Sequence, residues 1–200
     1  INVSALLANL GYRSTALGFI AGFTGREIER GVRSLGFDSD FIQVEKGMSR
    51  INVKLKSDQE SEINGMGPEI SEIHVNELYR KLDCLKAGDV LVLAGSIPRS
   101  LPDSVYSDIL RRLQGRGVLF VVDATGELLL NVLQFEPFLI KPNNHELGEI
   151  FDVTLTARAD VVPYARRLQE RGARNVLVSM SGQGAVLVDE TGAVHMLAAP

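Results

Sequence analysis

The chain has 200 residues and is 45% hydrophobic, so it has enough apolar side chains to bury a sizeable core and is not of the disordered class. Its 21 basic and 25 acidic residues give a net charge of −4, which excludes the basic surface that binds nucleic acid or anionic membranes. The longest apolar run is far shorter than the roughly 20 residues of a membrane helix, and the single cysteine, Cys84, cannot form an internal disulfide. We therefore predict a soluble protein of a reducing cytoplasm, with neither nucleic acid nor a membrane as a partner.

The first predicted elements are a helix, a strand and a second helix. They cover residues 3–11, 15–21 and 26–35. Gly11 is typical of a helix end. Because the chain begins with Ile1 just before this helix, and ends at Pro200 without a closing helix, we expect an excerpt of a longer protein.

Residues 41–66 interrupt this alternation of strands and helices. Three short segments with strand patterns follow one another without a helix, at 41–45, 52–56 and 61–64. We interpret them as a small sheet of their own, with one polar and one apolar face, that covers a site or pairs with another subunit. This interpretation divides the chain into a lid, 41–66, and a core, 1–40 with 67–200.

Arg50, Asn52 and Lys54 fall on one face of the middle strand, because they are spaced two residues apart. A solvated strand face shows the same pattern. A basic face turned towards a cleft would instead bind a sugar phosphate, so both interpretations of this face stay open.

Apolar runs and helical patterns alternate regularly in the rest of the chain. The predicted helices cover 75–85, 103–114, 143–151 and 160–171, and the predicted strands cover 90–94, 119–123, 138–140, 176–179 and 185–188. The strands are apolar on both faces, which is typical of a sheet covered by helices. The order of the elements therefore predicts the α/β class with a mainly parallel sheet.

Ligands of open parallel sheets bind beyond the carboxyl ends of the strands, so the residues that follow each strand are candidates. Ser96 lies in the Gly-Ser-Ile-Pro segment after the strand at 90–94, where a plain turn is the alternative. Asp123 ends the strand at 119–123. Its carboxylate either lies near a cation or a phosphate-bound metal, or caps the segment that follows.

Asn143 and Glu146 have the spacing of a capping box at the start of a helix, with Lys141 two residues before it. A lysine, free helix N–H groups and a carboxylate also suit a phosphate and a hydrated magnesium ion. Both interpretations can hold together.

The segment from Ser179 to Gly184 carries hydroxyl groups and glycines between two predicted strands. It is either a tight turn or a loop that wraps a nucleotide phosphate. The dinucleotide and P-loop motifs are missing from the sequence, and His74, His145 and His195 show no metal-ligand spacing, so none of them is assigned a role.

Seven motifs occur in the order found in one family, and the chain resembles the ribokinase-like (PfkB) carbohydrate kinases over nearly its whole length. The motifs are Asn2-Val3-Ser4, Ser49 to Leu55, Glu62 to Pro68, Ala94 to Pro98, Val122-Asp123, Lys141 to Leu147 and Val178 to Gly184. The second and third motifs resemble the members that act on fructose 1-phosphate.

This resemblance implies a three-layer α/β/α ribokinase-like core with a small β-sheet lid, and a homodimer formed through the lid. It also implies an enzyme that uses ATP and Mg²⁺ to convert fructose 1-phosphate to fructose 1,6-bisphosphate. The alternatives are a tagatose-6-phosphate or 6-phosphofructo kinase, and a non-catalytic module that binds a sugar phosphate or a nucleotide.

The resemblance also assigns residues to roles. Asn2, Arg50 and Ser96 are expected to bind the sugar phosphate, and Glu146 and Asp123 to bind Mg²⁺. The residues expected to bind the nucleotide are Lys141, Asn143, Ser179, Ser181 and Gly184. Ser181 stands where several family members have glycine.

The family's catalytic aspartate lies in a G-A-G-D motif, and this chain has no such motif. A sugar hydroxyl that attacks a phosphoryl group needs a carboxylate to accept its proton. We expect that aspartate beyond Pro200 and a further glycine-rich segment before Ile1, so the catalytic residue is unknown and the chain alone is expected to be inactive. Neither Asp123 nor Glu146 is assigned as the base.

Overall fold

The structure is a computed structural model, and it describes residues 1–56, 60–95 and 97–199. The chain divides into two compact units, the first formed by Ile1–Leu82 with Pro98–Leu101 and the second by Asp83–Ile97 with Pro102–Pro200. Within the described ranges no helix has the length and the hydropathy to cross a membrane.

The first unit combines three helices with short strands. The helices are α1 (Asn2–Asn9), α2 (Gly22–Ser34) and α3 (Glu72–Leu82), and the strands are β1 (Thr15–Ala16), β2 (Phe19–Ala21), β3 (Asp38–Ser39), β4 (Ile42–Val44), β5 (Asn52–Lys56) and β6 (Glu60–Asn64). β1 pairs in parallel with β3, and β2 in parallel with β4. β5 and β6 form an antiparallel hairpin.

Two sequence predictions for this unit are wrong. The strand expected over 15–21 is two short strands, interrupted at Leu17 and Gly18. β4 pairs with β2 and not with the hairpin, because Val44 is buried in a cluster with Ala21 and Ile70. Burial of these apolar side chains decides the partner of β4, and the local strand pattern carries no information about it.

The second unit is built on one sheet of six strands. The strands are β7 (Val90–Ala94), β8 (Leu119–Asp123), β9 (Leu139–Ile140), β10 (Asn175–Ser179), β11 (Ala185–Val188) and β12 (Val194–Leu197), and the helices are α4 (Val105–Leu113), α5 (Gly126–Leu130), α6 (Asn144–Phe151) and α7 (Arg158–Glu170). Short 3₁₀ turns lie at Leu133–Phe135 and Ser181–Gln183.

The six strands are ordered along the sheet as they are in the chain. β7 to β10 run parallel, and β11 and β12 add to β10 as antiparallel strands. The middle strands bury their side chains completely at Val122, Ile140 and Val176, as their apolar sequences predict. The α/β class, the mainly parallel sheet and the small separate hairpin are confirmed.

The helix predicted over 160–171 is confirmed as α7, and its burial follows the helical period. Val161, Ala165 and Leu168 are fully buried, and the helix packs against β10 and β11. The side chains that the helix spacing places on one face are therefore the ones that cover the sheet. The helix α5 was not predicted from the sequence.

Candidate functional site

The carboxyl ends of β7 to β10 lie along one edge of the second unit's sheet. The parallel ladder sets Ala94 beside Asp123, and a single bridge sets Asn143 beside Ser179. Polar residues that are far apart in the sequence are thereby brought to the same edge, which is where open parallel sheets bind ligands.

Lys141 and Asp123 form an ion pair at this edge. The Lys141 Nζ lies 3.0 Å from the Asp123 Oδ1, and both side chains are 38% exposed. The backbone N–H of Lys141 also donates to the Val122 carbonyl at 3.0 Å, which fixes the lysine next to the end of β8. The alternative that Asp123 caps the next helix is wrong, since the residue at the N-terminal cap of α5 is Thr125.

Tyr106 supports the same edge from the first turn of α4. Its hydroxyl donates to the carbonyl oxygen of Gly95 at 3.0 Å. Burial raises the pKa of Tyr106, and the negative charge of Asp123 raises it further. Tyr106 is therefore a neutral hydrogen-bond donor that holds the chain where it leaves β7.

The capping box at the start of α6 is confirmed. The Asn143 Oδ1 accepts hydrogen bonds from the backbone N–H groups of His145 and Glu146, each at 2.8 Å. The Glu146 Oε2 accepts from the backbone N–H of Asn143 at 2.8 Å. The box uses one oxygen of the Glu146 carboxylate, so the structural role of this residue leaves its second oxygen for a ligand.

Two carboxylates at this edge are suited to a magnesium ion that arrives with a nucleotide. Mg²⁺ usually takes one or two protein carboxylates and completes its coordination with water and phosphate oxygens. Asp123 and Glu146 supply that number. Across the described residues no group of three or more His, Cys, Asp or Glu side chains could hold a metal, so this edge does not form a complete protein cage.

The segment after β10 is a tight turn, as one of the two interpretations predicted. The Ser179 N–H donates to the Pro142 carbonyl at 3.1 Å, and the Met180 N–H donates to the Gly184 carbonyl at 2.8 Å. Ser181 has a φ of 48° and Gly184 a φ of 90°. A side chain at Gly184 would overlap the backbone of β12, so glycine is required there.

The backbone at Ser181 has a conformation that favours glycine. Its φ lies in the left-handed region, where glycine has no steric cost and other residues have one.

The remaining candidates do not lie in this unit or are not described. Asn2 is the first residue of α1 and is exposed, and Arg50 is exposed and precedes β5 by two residues. The prediction that Arg50 lies within a strand is therefore wrong. Ser96 lies outside the described residues.

Sequence reasoning missed Tyr106 at this site. Its partner Gly95 lies on the other side of a loop, and neither a motif nor a periodicity connects the two positions. The one available signal was a tyrosine in the first turn of an amphipathic helix, the first helix after the strand that Gly95 follows. A buried phenol normally finds such a partner.

The chain is similar to known proteins. A model of the pfkB family of carbohydrate kinases matches residues 1–200. The chain is 46% identical over 187 residues to the 1-phosphofructokinase of Bacillus subtilis (strain 168), with 94% of this chain and 61% of that protein covered. It is 36% identical over 190 residues to the D-tagatose-1-phosphate kinase of Bacillus licheniformis, with coverage of 94% and 62%.

The structure is also similar to a solved one. The crystal structure of phosphofructokinase-2 from Escherichia coli in complex with fructose-6-phosphate matches with a TM-score of 0.88 and 25% identity, over 100% of this chain and 67% of that chain. The chain thus spans about three fifths of the curated relatives that it matches.

Proposed function

Because this chain belongs to the pfkB family of carbohydrate kinases, we propose that the whole protein is a cytoplasmic kinase that transfers the γ-phosphoryl group of ATP to fructose 1-phosphate. The product would be fructose 1,6-bisphosphate. The observation that carries the proposal is the Lys141–Asp123 ion pair beside the start of α6, at the edge where a parallel sheet binds ligands. The identity of 46% to a 1-phosphofructokinase supports the choice of acceptor.

The edge of the sheet carries a lysine for the phosphates of a nucleoside triphosphate and carboxylates for its magnesium ion. Lys141 would offer its ammonium group to the phosphates, and Asn143 and Ser179, whose backbones are paired by a single bridge, would contribute further polar groups. Asp123 and Glu146 would hold the magnesium ion, which supplies charge neutralisation on the phosphates when it is bound. In the turn after β10, Ser181 and Gly184 would border the nucleotide.

Arg50, Asn2 and Ser96 would bind the acceptor. Arg50 is exposed and, among the described side chains, forms no ion pair, so its guanidinium is available to a phosphate group. Asn2 would contact a sugar hydroxyl, and Ser96 would line the sugar site.

A second acceptor is favoured by one comparison. The relative named D-tagatose-1-phosphate kinase is 36% identical to this chain. Tagatose 1-phosphate and fructose 1-phosphate differ in configuration at one carbon, and both carry the phosphate group that Arg50 would bind. A kinase for tagatose 1-phosphate is therefore the second candidate.

The proposal is tested with the full-length protein and a coupled assay of ADP release. We expect fructose 1-phosphate to give a higher kcat/KM than tagatose 1-phosphate and fructose 6-phosphate, and unphosphorylated fructose to give the lowest. A higher kcat/KM for tagatose 1-phosphate would favour the second candidate. Binding of sugar phosphate and ATP without ADP release, at any magnesium concentration, would show a binding module and contradict the kinase.

We also propose that residues 41–66 include a lid that pairs with a second copy of the protein. The hairpin of β5 and β6, with the residue before it, exposes a row of apolar side chains, and exposure of apolar surface to water is unfavourable. Its members, with their exposed fractions, are Ile51 (57%), Val53 (42%), Leu55 (51%) and Ile63 (60%). A two-stranded hairpin with such a face is marginally stable unless something covers it.

A further inference from the structure

The segment just before Arg50 is hydrogen-bonded to the N-terminal end of α2. Ser49 is buried, with 7% of its surface exposed, and all its polar groups are bonded. The Ser49 N–H donates to the Ala21 carbonyl at 3.0 Å, and the Ser49 Oγ accepts from the Ala21 N–H at 3.0 Å. The Thr24 Oγ1 donates to the Ser49 carbonyl at 2.8 Å, so that helix and segment are joined by three hydrogen bonds.

The space around these bonds is filled. A Cβ added at Gly22, where φ is 61°, would lie 2.7 Å from the Gly47 carbonyl oxygen. A Cβ added at Gly25 would lie 3.0 Å from the Ile20 Cβ and 3.2 Å from the Ser49 Oγ. Glycines therefore allow the start of α2 to approach the segment closely. This close packing leaves little space for the helix or the segment to shift.

A second set of contacts fixes the chain a few residues earlier. His74, which is buried in α3, accepts a hydrogen bond from the Ser71 N–H at its Nδ1. With that nitrogen as acceptor, the Nε2 carries the proton and donates to the Glu45 Oε2 at 3.1 Å. Glu45 directly follows β4, so the segment that leads to Arg50 is tied at both its ends.

The chain is fixed again immediately after Arg50. The Gly65 N–H donates to the Ile51 carbonyl at 3.0 Å, which closes the base of the hairpin. Arg50 is thus the single residue between two bonded neighbours, Ser49 and Ile51. Its own side chain is exposed, and among the described side chains it has no acidic partner.

We propose that Thr24 and Ser49 are positioning residues, which hold Arg50 in place for the phosphate group of the acceptor sugar. This inference rests on the proposed function. It assigns the phosphate-binding arginine to the packed part of the first unit, so that the hairpin of β5 and β6 can move while Arg50 stays in place. A backbone that is already ordered loses less conformational entropy when the ligand binds.

The test removes one hydroxyl from the full-length protein. Thr24→Val keeps the shape of the side chain and loses the bond to the Ser49 carbonyl, and Thr24→Ser keeps the bond. We expect Thr24→Val to raise the KM for fructose 1-phosphate roughly 3- to 10-fold, the range that corresponds to one neutral hydrogen bond. The kcat and the KM for ATP should stay within about 2-fold, and Thr24→Ser should restore most of the affinity.

Two further variants separate positioning from a general loss of stability. Ser34→Ala removes another hydroxyl-to-carbonyl bond, from the far end of the same helix, and should leave every kinetic constant as in the wild type. Thr24→Val in an Arg50→Ala background should cause no additional rise in KM, because the two changes act through the same contact.

The outcomes are distinct. A wild-type protein that phosphorylates none of the sugar phosphates overturns the proposed function and this inference together. An active wild type in which Thr24→Val leaves the KM for the sugar phosphate unchanged, or raises the KM for ATP equally, overturns this inference alone. If Thr24→Val does not fold, Ser49→Ala, which removes the acceptor of the Ala21 N–H, must give the same selective rise in KM, and its failure to do so also overturns the inference.

Discussion

The carboxyl edge of the central sheet and the hairpin of the first unit are supported in different ways. Asp123, Lys141 and Ser179 lie at the edge where the strands end. The residue that precedes each of them in the chain is completely buried. In the hairpin, Val53 and Ile63 pair directly across the strands, yet both side chains are exposed. The edge is thus stabilised by the unit that carries it, whereas the hairpin has an apolar face without a cover among the described residues.

This difference separates the effects that substitutions should have. A change at the sheet edge should alter nucleotide chemistry while the fold and the assembly stay the same. A change on the apolar face of the hairpin should weaken the pairing of two copies, and catalysis should change only as a consequence of that loss. Arg50 belongs to neither group, because it lies at the base of the hairpin and is fixed by α2.

Arg50→Ala gives the largest expected effect and tests whether binding of the acceptor depends on a residue outside both regions. Loss of a charge-assisted contact costs on the order of 2–3 kcal/mol, so the KM for fructose 1-phosphate should rise roughly 30- to 150-fold. The KM for ATP should change little, as steady-state kinetics with each substrate varied would show. Arg33→Ala, which breaks a surface pair with Glu29, is the matched control. Equal kcat/KM values of the wild type for fructose and fructose 1-phosphate would contradict the assignment.

Glu146→Gln tests the edge, where capping and metal binding involve the same side chain. Glutamine also serves at this position of a capping box, so the melting temperature should hardly change. Loss of the negative charge should lower kcat about 10-fold and move the magnesium optimum upward. A magnesium titration that coincides with that of the wild type would mean that Glu146 only caps α6.

Val53→Asp tests whether a second copy of the protein covers the apolar face of the hairpin. If two copies pair through this face, a buried charge there should shift the full-length protein towards monomer and raise the KM for the sugar phosphate several-fold. Sedimentation at micromolar concentration measures the change. Ile73→Asp, at an exposed residue of α3, is the control and should leave the assembly intact. A wild-type monomer under the same conditions would rule out pairing through the hairpin.

Tyr106→Phe has the smallest expected effect and concerns the edge again. Burial and the charge of Asp123 raise the pKa of Tyr106 above its ordinary value of 10.0. A raised pKa means that the folded state prefers the protonated phenol, so this contribution to stability is present below pH 10 and is lost as the pH rises further. Between about pH 8 and about pH 11, the melting temperature of the wild type should therefore fall more than that of Tyr106→Phe. Parallel curves for the two proteins would contradict this account.

The parts of the molecule that depend on local patterns could be predicted from the sequence. The Asn143 cap needs only the residue three positions later, and the helix over 160–171 needs only the helical period, so both predictions are confirmed. The α/β class follows from the order of the elements. The lid boundaries and the roles of the site residues stay predictions.

Contacts between distant segments could not be predicted in the same way. The partner of β4 depends on packing with Ala21 and Ile70. The choice between capping and ion pairing at Asp123 depends on Lys141, which directly follows the next strand. The bonds of Tyr106 to Gly95 and of Thr24 to Ser49 join residues that no motif connects, so they are visible only in the folded chain.

The pairing of the strands also has a consequence for the time course of folding. β5 and β6 follow one another in the chain, and hairpins of this kind close within about 1–10 μs. The parallel ladder pairs Val90 with Leu119 and Leu139 with Asn175, and each pairing must first close a long loop. The hairpin should therefore close before the central sheet forms, whereas hydrogen exchange pulsed during refolding should show lasting protection of its backbone amides only once its apolar face is covered.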